Sequence, residues 1–284
     1  MNKIINILKE KKSIPLDKFI NIALYDKNSG YYMKNNPFGK NGDFITSPLI
    51  SKLFSEMIAL WCISFWEYLG KPKKISIIEL GPGEGSLCSD LLETFKNFKE
   101  FYKSLDIGLL EISSKLKKIQ NNKICNKKVR WINKISEIKN GPIIFLGNEF
   151  FDSLPIKQIY KKQNLILEKH VALSNDKKRF KFLYKRINKK FIKYNEILNL
   201  SSIKKVVEYP IDAIKYLSDI SKKIDKFDGA LLIFDYGYFA EGNNSTLQSV
   251  KNHKYKNIFI SIYKFKTNLN SSSCAILNLL NYMK

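Results

Sequence analysis

Along this 284-residue chain the spacing of apolar positions changes several times, and each change predicts a different kind of element. From Pro15 to Tyr25 the residues Leu16, Phe19, Ile20, Ala23 and Leu24 fall on one helical face, and Asp26-Lys27-Asn28-Ser29-Gly30 ends the run as a turn. Ser47 followed by Pro48 reads as a helix start, continuing to Leu69 with Gly70 just past its end. Residues 1–70 therefore read as an N-terminal helical cap. Between 71 and 155 short apolar runs alternate with helical patterns, as in a parallel, doubly wound α/β sheet. Residues 156–205 contain three strand-like runs, Ile156 to Tyr160, Leu165 to Leu173 and Phe180 to Ile187, separated by polar turns, and read as a β-rich insertion. The sheet resumes over 206–258 with a helix at Ile211 to Ile224 and the run Gly229 to Phe234. Residues 259–284 form a tail outside this pattern.

The sharpest local signal is Glu79-Leu80-Gly81-Pro82-Gly83-Glu84-Gly85-Ser86, where an apolar strand enters a glycine-dense turn and then a helix. Glycine allows positive φ and close backbone approach, and the helix start offers free N–H groups, which suits a nucleotide cofactor; an ordinary β-to-α turn would share these residues. A dinucleotide fingerprint would read G-x-G-x-x-G. The tighter Gly81-x-Gly83-x-Gly85 spacing, with Glu79 before it, resembles motif I of the class I S-adenosylmethionine methyltransferases, where an acid near the aminoacyl end favours positive groups and pyrophosphate would want none. The run Leu105 to Leu110 then ends in Glu111, a carboxylate placed to accept from both ribose hydroxyls, or else a solvated strand end. Its distance from the glycines exceeds the ~20 residues of the dinucleotide rule.

Five blocks, in order, resemble the MidA-like family of S-adenosylmethionine-dependent methyltransferases: Gly30-Tyr31-Tyr32; Gly42-Asp43-Phe44-Ile45-Thr46-Ser47-Pro48; Glu79 to Gly85; Asn148-Glu149-Phe150-Phe151-Asp152-Ser153-Leu154-Pro155; and Asp235-Tyr236-Gly237-Tyr238 with Thr246-Leu247-Gln248. The family includes a mitochondrial complex I assembly factor that methylates an arginine of a complex I subunit. The resemblance implies a class I, Rossmann-like fold and a protein substrate, with a respiratory complex I subunit as the expected partner. It also implies cofactor contacts from Phe44, Thr46, Glu79, Gly81, Gly83, Gly85, Glu111 and Asn148. Glu149 and Asp152 are the expected catalytic carboxylates: hydrogen-bonding two nitrogens of a guanidinium would localise its charge away from the attacking one. An N-cap and a surface acid is the plainer reading of the pair. The likeness covers Leu16 to His253 and stops near Phe259; Asn268 to Cys274 resembles nothing in the family, and the expectation is a chain lacking the family's last strands.

Composition narrows the remaining classes. Cys62, Cys88, Cys125 and Cys274 form no C-x-x-C, and with His170 and His253 as the only histidines no metal site is expected. The most apolar stretch, Ile58 to Leu69, falls short of the ~20 residues of a membrane span. Met1 to Glu10 mixes charge with apolar residues, so a cytosolic location is expected. The net charge of +23 invites an RNA methyltransferase reading. Nearly all of it is lysine, however, with only Arg130, Arg179 and Arg186, and Asn148-Glu149 differs from the Asn-Pro-Pro-aromatic of base methyltransferases. A non-catalytic assembly protein of the same fold is the other alternative.

Overall fold

The computed structural model describes residues 2–34, 37, 43, 51–163, 165–177, 179–188, 206–236, 247–251, 254–255 and 275–277. In chain order its strands are β1 (Ser13–Pro15), β2 (Ile75–Leu80), β3 (Leu105–Leu110), β4 (Val129–Ile132), β5 (Ile143–Asn148), β6 (Lys157–Lys162) and β7 (Leu165–Leu173). They continue with β8 (Phe180–Arg186), β9 (Val206–Tyr209), β10 (Gly229–Phe234), β11 (Gln248–Lys251), β12 (Lys254–Tyr255) and β13 (Ala275–Leu277). The chain divides into two compact units, one of residues 1–31, 152–213 and 236–284, the other of residues 32–151 and 214–235.

In the first unit, helices α1 (Asn2–Lys11) and α2 (Leu16–Tyr25) flank β1. The sheet runs β1-β7-β6-β9 with β8 also on β7, and every pairing is antiparallel. Residues 1–31, read from the sequence as part of a cap reaching 70, belong to this unit and give its sheet a strand. The signal was too short to see, since β1 is three residues long and its partners, His170 to Ala172, lie far away in sequence. Likewise β9, which the sequence reading placed in the resumed core from 206 on, pairs with β6 and belongs to this sheet.

A half-buried ion cluster fastens β1 and α2 to the strands. Lys157 Nζ donates to Asp17 Oδ1 at 3.0 Å and to Glu168 Oε1. His170 Nε2 lies 3.7 Å from Glu168 Oε2, and Ser13 Oγ lies 3.4 Å from His170 Nδ1. Burial alone would raise the Glu168 carboxyl, but hydrogen bonds from His170 and Lys157 outweigh it and hold it below its ordinary value.

The second unit carries the five-stranded sheet β10-β5-β2-β3-β4, parallel throughout. All six residues of β2 are buried, as expected for a central parallel strand covered on both faces. Helices α3 (Lys52–Tyr68) and α4 (Ser86–Phe95) pack on it through Ile58, Cys62, Trp66, Leu87, Leu91 and Phe95. Short α5 (Lys99–Ser104), α6 (Ser114–Ile124) and α7 (Ile211–Phe227) complete the crossovers. The chain passes outward from β2 to β3 and β4, then returns to β5 and β10 on the other side. That reversal between β2 and β5 is a switch point, and in open α/β sheets ligands bind beyond the carboxyl ends of the strands there. Among the described residues β10 ends the sheet with one strand neighbour, and all six of its residues are partly exposed.

Replacing Lys157 by Met should test the ion cluster. Two half-buried carboxylates would then face each other without their cation, costing about 3 kcal/mol at neutral pH. Because the Glu168 carboxyl is held below its ordinary value, its contribution to stability is complete above 4.5 and is lost as pH falls through its lower folded-state value, so the gap to the wild type should close on acidification in urea denaturation. A gap that stays the same from about pH 7 down to the acid range where the carboxylates are protonated would show the cluster to be energetically idle.

Candidate functional site

The carboxyl end of β2 opens into a turn in which Gly81, Gly83 and Gly85 all have positive φ, +62°, +55° and +81°. At two of them the neighbours also leave no room for a side chain. A Cβ at Gly81 would lie 2.8 Å from Phe150 Cδ2, and one at Gly85 would lie 2.9 Å from Ile124 Cδ1. Gly85 is the N-cap of α4 and has no side chain to satisfy the first amides of that helix. The turn is closed by its own backbone, Gly85 N–H donating to Pro82 O at 2.7 Å, and tied to the next strand by Gly81 N–H to Leu110 O at 3.1 Å. The missing side chains at Gly81 and Gly85 thus make room for Phe150 and Ile124 to pack against the turn.

Glu79, the penultimate residue of β2, is 4% exposed. The Cys88 amide, in the first turn of α4, hydrogen-bonds its carboxyl. That accounts for one side of the group only: Oε2 is buried and has no hydrogen-bond partner among the described residues. Burial pushes the carboxyl up to about 8, with the Cys88 amide pulling weakly the other way. The neighbouring strand end holds a matching feature, since Asn148 Oδ1 at the tip of β5 is likewise buried and unpartnered. Two buried oxygens at the switch point thus have no hydrogen-bond partner among the described residues.

Glu111 follows β3 and is 7% exposed, so the solvated-end reading does not hold. Its Oε1 accepts from Ser113 N–H at 2.7 Å and its Oε2 from Gln120 Nε2 at 3.1 Å. Burial raises this carboxyl, opposed by those two donors. The Ile112 amide is a further hydrogen-bonding neighbour of the same carboxyl, and a carboxylate, with about four lone-pair directions, keeps room for another donor.

Past β5 the chain turns sharply. Glu149 adopts φ +50°, unusual for a residue with a side chain, and its N–H donates to Phe234 O at 2.8 Å. The Phe151 N–H donates to Asp235 Oδ2 at 2.9 Å, tying this corner to the residue after β10. Phe150 packs over Gly81 and meets Tyr216 edge-on at 5.1 Å between centroids. Thus Glu79, Gly81, Gly83, Gly85, Glu111, Asn148 and Glu149 gather at one sheet edge of one unit. Asp152 does not join them within that unit. It is 2% exposed and belongs to the other one, so it is no surface acid. Phe44 and Thr46 lie outside the described residues, as do Gly237, Tyr238 and Thr246. Among the described residues no cluster of metal-ligating side chains occurs, and no helix is long and apolar enough to cross a membrane.

The sequence reading missed Gln120 and Trp131. Trp131 Nε1 donates to Gln120 Oε1 at 2.8 Å, and Gln120 Nε2 donates to Gly83 O at 2.8 Å as well as to Glu111. A signal existed: Gln120 stands four residues after Leu116 and four before Ile124, a polar side chain on the apolar stripe of α6.

The buried Glu79 gives a test by pH. Its folded-state value lies above the unfolded one, so its stabilising effect is complete below about 4.5 and is lost as pH rises to about 8. Wild type and Glu79→Gln should melt together near pH 5, and the variant should melt higher at pH 8. Parallel melting curves at both pH values would mean the carboxyl titrates normally.

A sequence model of the family described as "Putative S-adenosyl-L-methionine-dependent methyltransferase" matches residues 57–263. Protein arginine methyltransferase NDUFAF7, mitochondrial, of Xenopus laevis is 31% identical, the match covering 91% of this chain and 64% of that protein. The Homo sapiens protein of the same name is 29% identical, with 89% and 63% covered. The chain thus spans a little under two thirds of the length of these relatives. They are named as mitochondrial, and the cytosolic expectation finds no support in them. A Burkholderia thailandensis crystal structure, solved with S-adenosyl-homocysteine bound, superposes with a TM-score of 0.76 at 19% identity, covering 97% of this chain and 71% of that one. The likeness establishes a shared fold, and the family match, which takes in the glycine turn and both strand-end acids, establishes kinship: the chain belongs to the family of S-adenosyl-L-methionine-dependent methyltransferases.

Proposed function

We propose that this chain binds S-adenosylmethionine and methylates an arginine of a protein substrate, with a subunit of respiratory complex I as the partner that the family resemblance suggests. The observation that carries the reading is the orphaned Glu79 Oε2 beside a turn where a Cβ would clash. An α-ammonium would give that oxygen its missing donor and a countercharge, and the glycines would let the aminoacyl group lie against the main chain. Glu111, held by Ser113 and Gln120, would accept from the ribose hydroxyls. Asn148 Oδ1 offers a further acceptor at the same edge. When bound, S-adenosylmethionine supplies a methyl carbon activated by the adjacent sulfonium.

The protein's own work is then positioning and electrostatics. Glu149 is the proposed acceptor-orienting group: it follows β5 directly, at the edge where the orphaned acceptors lie, and its main chain is fixed by Phe234. Accepting from guanidinium N–H groups, it would hold the positive charge on nitrogens other than the attacking one. Asp152 remains the second candidate carboxylate. The names of the relatives, arginine methyltransferases of proteins, support this acceptor over RNA, as does a positive charge built almost wholly from lysine.

Isothermal titration with S-adenosylhomocysteine and a single-turnover assay on an arginine-containing peptide separate the two halves of this reading. Glu149→Gln should leave the dissociation constant within about twofold and slow methyl transfer at least tenfold. Gly83→Val should abolish binding while leaving helical content unchanged. Tight binding of the ligand by Gly83→Val would remove the turn from the site, and equal losses of binding and rate in Glu149→Gln would place Glu149 against the cofactor.

A further inference from the structure

We propose that Gln120, set by Trp131, is the positioning residue that makes the site selective for a ribose bearing both hydroxyls. This rests on the reading of Glu111 as the ribose-binding acid. The orientation of the Gln120 amide follows from its partners. An indole N–H is a donor only, so the atom 2.8 Å from Trp131 Nε1 must be the amide oxygen. A backbone carbonyl is an acceptor only, so the atom 2.8 Å from Gly83 O must be the amide nitrogen. The two ends agree, and together they aim the second N–H of the same nitrogen at Glu111 Oε2, 3.1 Å away.

Both hydrogens of the Gln120 amide are thereby used, and the side chain is fully buried at 0% exposure. Its consequences reach two parts of the site. One N–H holds the apex of the glycine turn by the Gly83 carbonyl, where φ is +55°. The other fixes the Glu111 carboxyl in its plane together with the Ser113 amide, and both donors favour its ionised form. A carboxylate so held, with the Ile112 amide as a further neighbour, presents its remaining lone-pair capacity in a fixed direction, so a ribose hydroxyl is received without reorganisation. Turned the other way, the amide would set its oxygen against both Gly83 O and Glu111, so an unlocked Gln120 opposes diol binding instead of promoting it. Lys117 is the charged group that adds a favourable field at Glu111; it contacts Asn133 Oδ1 and lies outside this network.

The experiment compares S-adenosylhomocysteine with its 2′-deoxyribose analogue by titration calorimetry on the whole chain. The wild type should prefer the ribose form by at least tenfold. Gln120→Leu, which also frees the Gly83 carbonyl, should weaken both forms but the ribose form about tenfold more, so that the preference nearly vanishes. Trp131→Phe, which keeps the ring and removes only the N–H, should show the same loss of preference in smaller measure and serves if the buried Leu variant does not fold. A merely structural role would weaken both ligands equally, and an unchanged ratio in both variants overturns the proposal. Failure of the wild type to bind S-adenosylhomocysteine overturns it together with the reading of the site, whereas wild-type binding with an unchanged ratio overturns this proposal alone.

Discussion

A carboxyl group with one oxygen unsatisfied inside a dry protein is costly, and the central strand of this sheet ends with one. Glu79 cannot turn to water, because β2 is flanked by β3 and β5 and covered by α3 and α4. It cannot find a cation among the described residues either. The protein meets the cost by holding the group protonated near neutrality. The neighbouring features gather around that carboxyl: the glycine turn that follows β2, Asn148 with its unpartnered buried oxygen, and Glu111 at the next strand end.

The parallel sheet makes this gathering unavoidable once the strand order is set. With β3 and β4 added on one side of β2 and β5 and β10 on the other, the loops after β2, β3 and β5 emerge at one edge. Residues far apart in the chain, Glu79, Glu111 and Asn148, are brought together without any of them needing a long loop. Gln120 then couples two of those loops through a single amide, joining the glycine turn at Gly83 to the carboxyl of Glu111.

Much of this was legible in the sequence because it is written in local pattern. A continuous apolar run, a glycine cluster and a one-faced helix give β2, the turn and α4 from neighbouring residues alone. The acid at the end of β3 was legible for the same reason. What escaped was non-local. Three residues, Ser13 to Pro15, carry no periodicity, and their place beside His170 to Ala172 depends on an ion cluster drawn from three stretches of chain. Gln120 looked like one more polar residue in a polar helix until its partners at Gly83, Glu111 and Trp131 were seen. Glu149 and Asp152, three positions apart, read as a pair from sequence, yet Asp152 is buried in the other compact unit, since the chain leaves the sheet between them.

On this account a cationic ligand set against the buried Glu79 carboxyl expels its proton. Titration calorimetry of S-adenosylhomocysteine at pH 7 in buffers of differing ionisation enthalpy counts that proton directly. The wild type should release close to one proton per ligand bound, and Glu79→Gln should release none while still binding, more weakly. The same proton count in both proteins would contradict the account, because Glu79 would then not be the group that answers the ligand's charge.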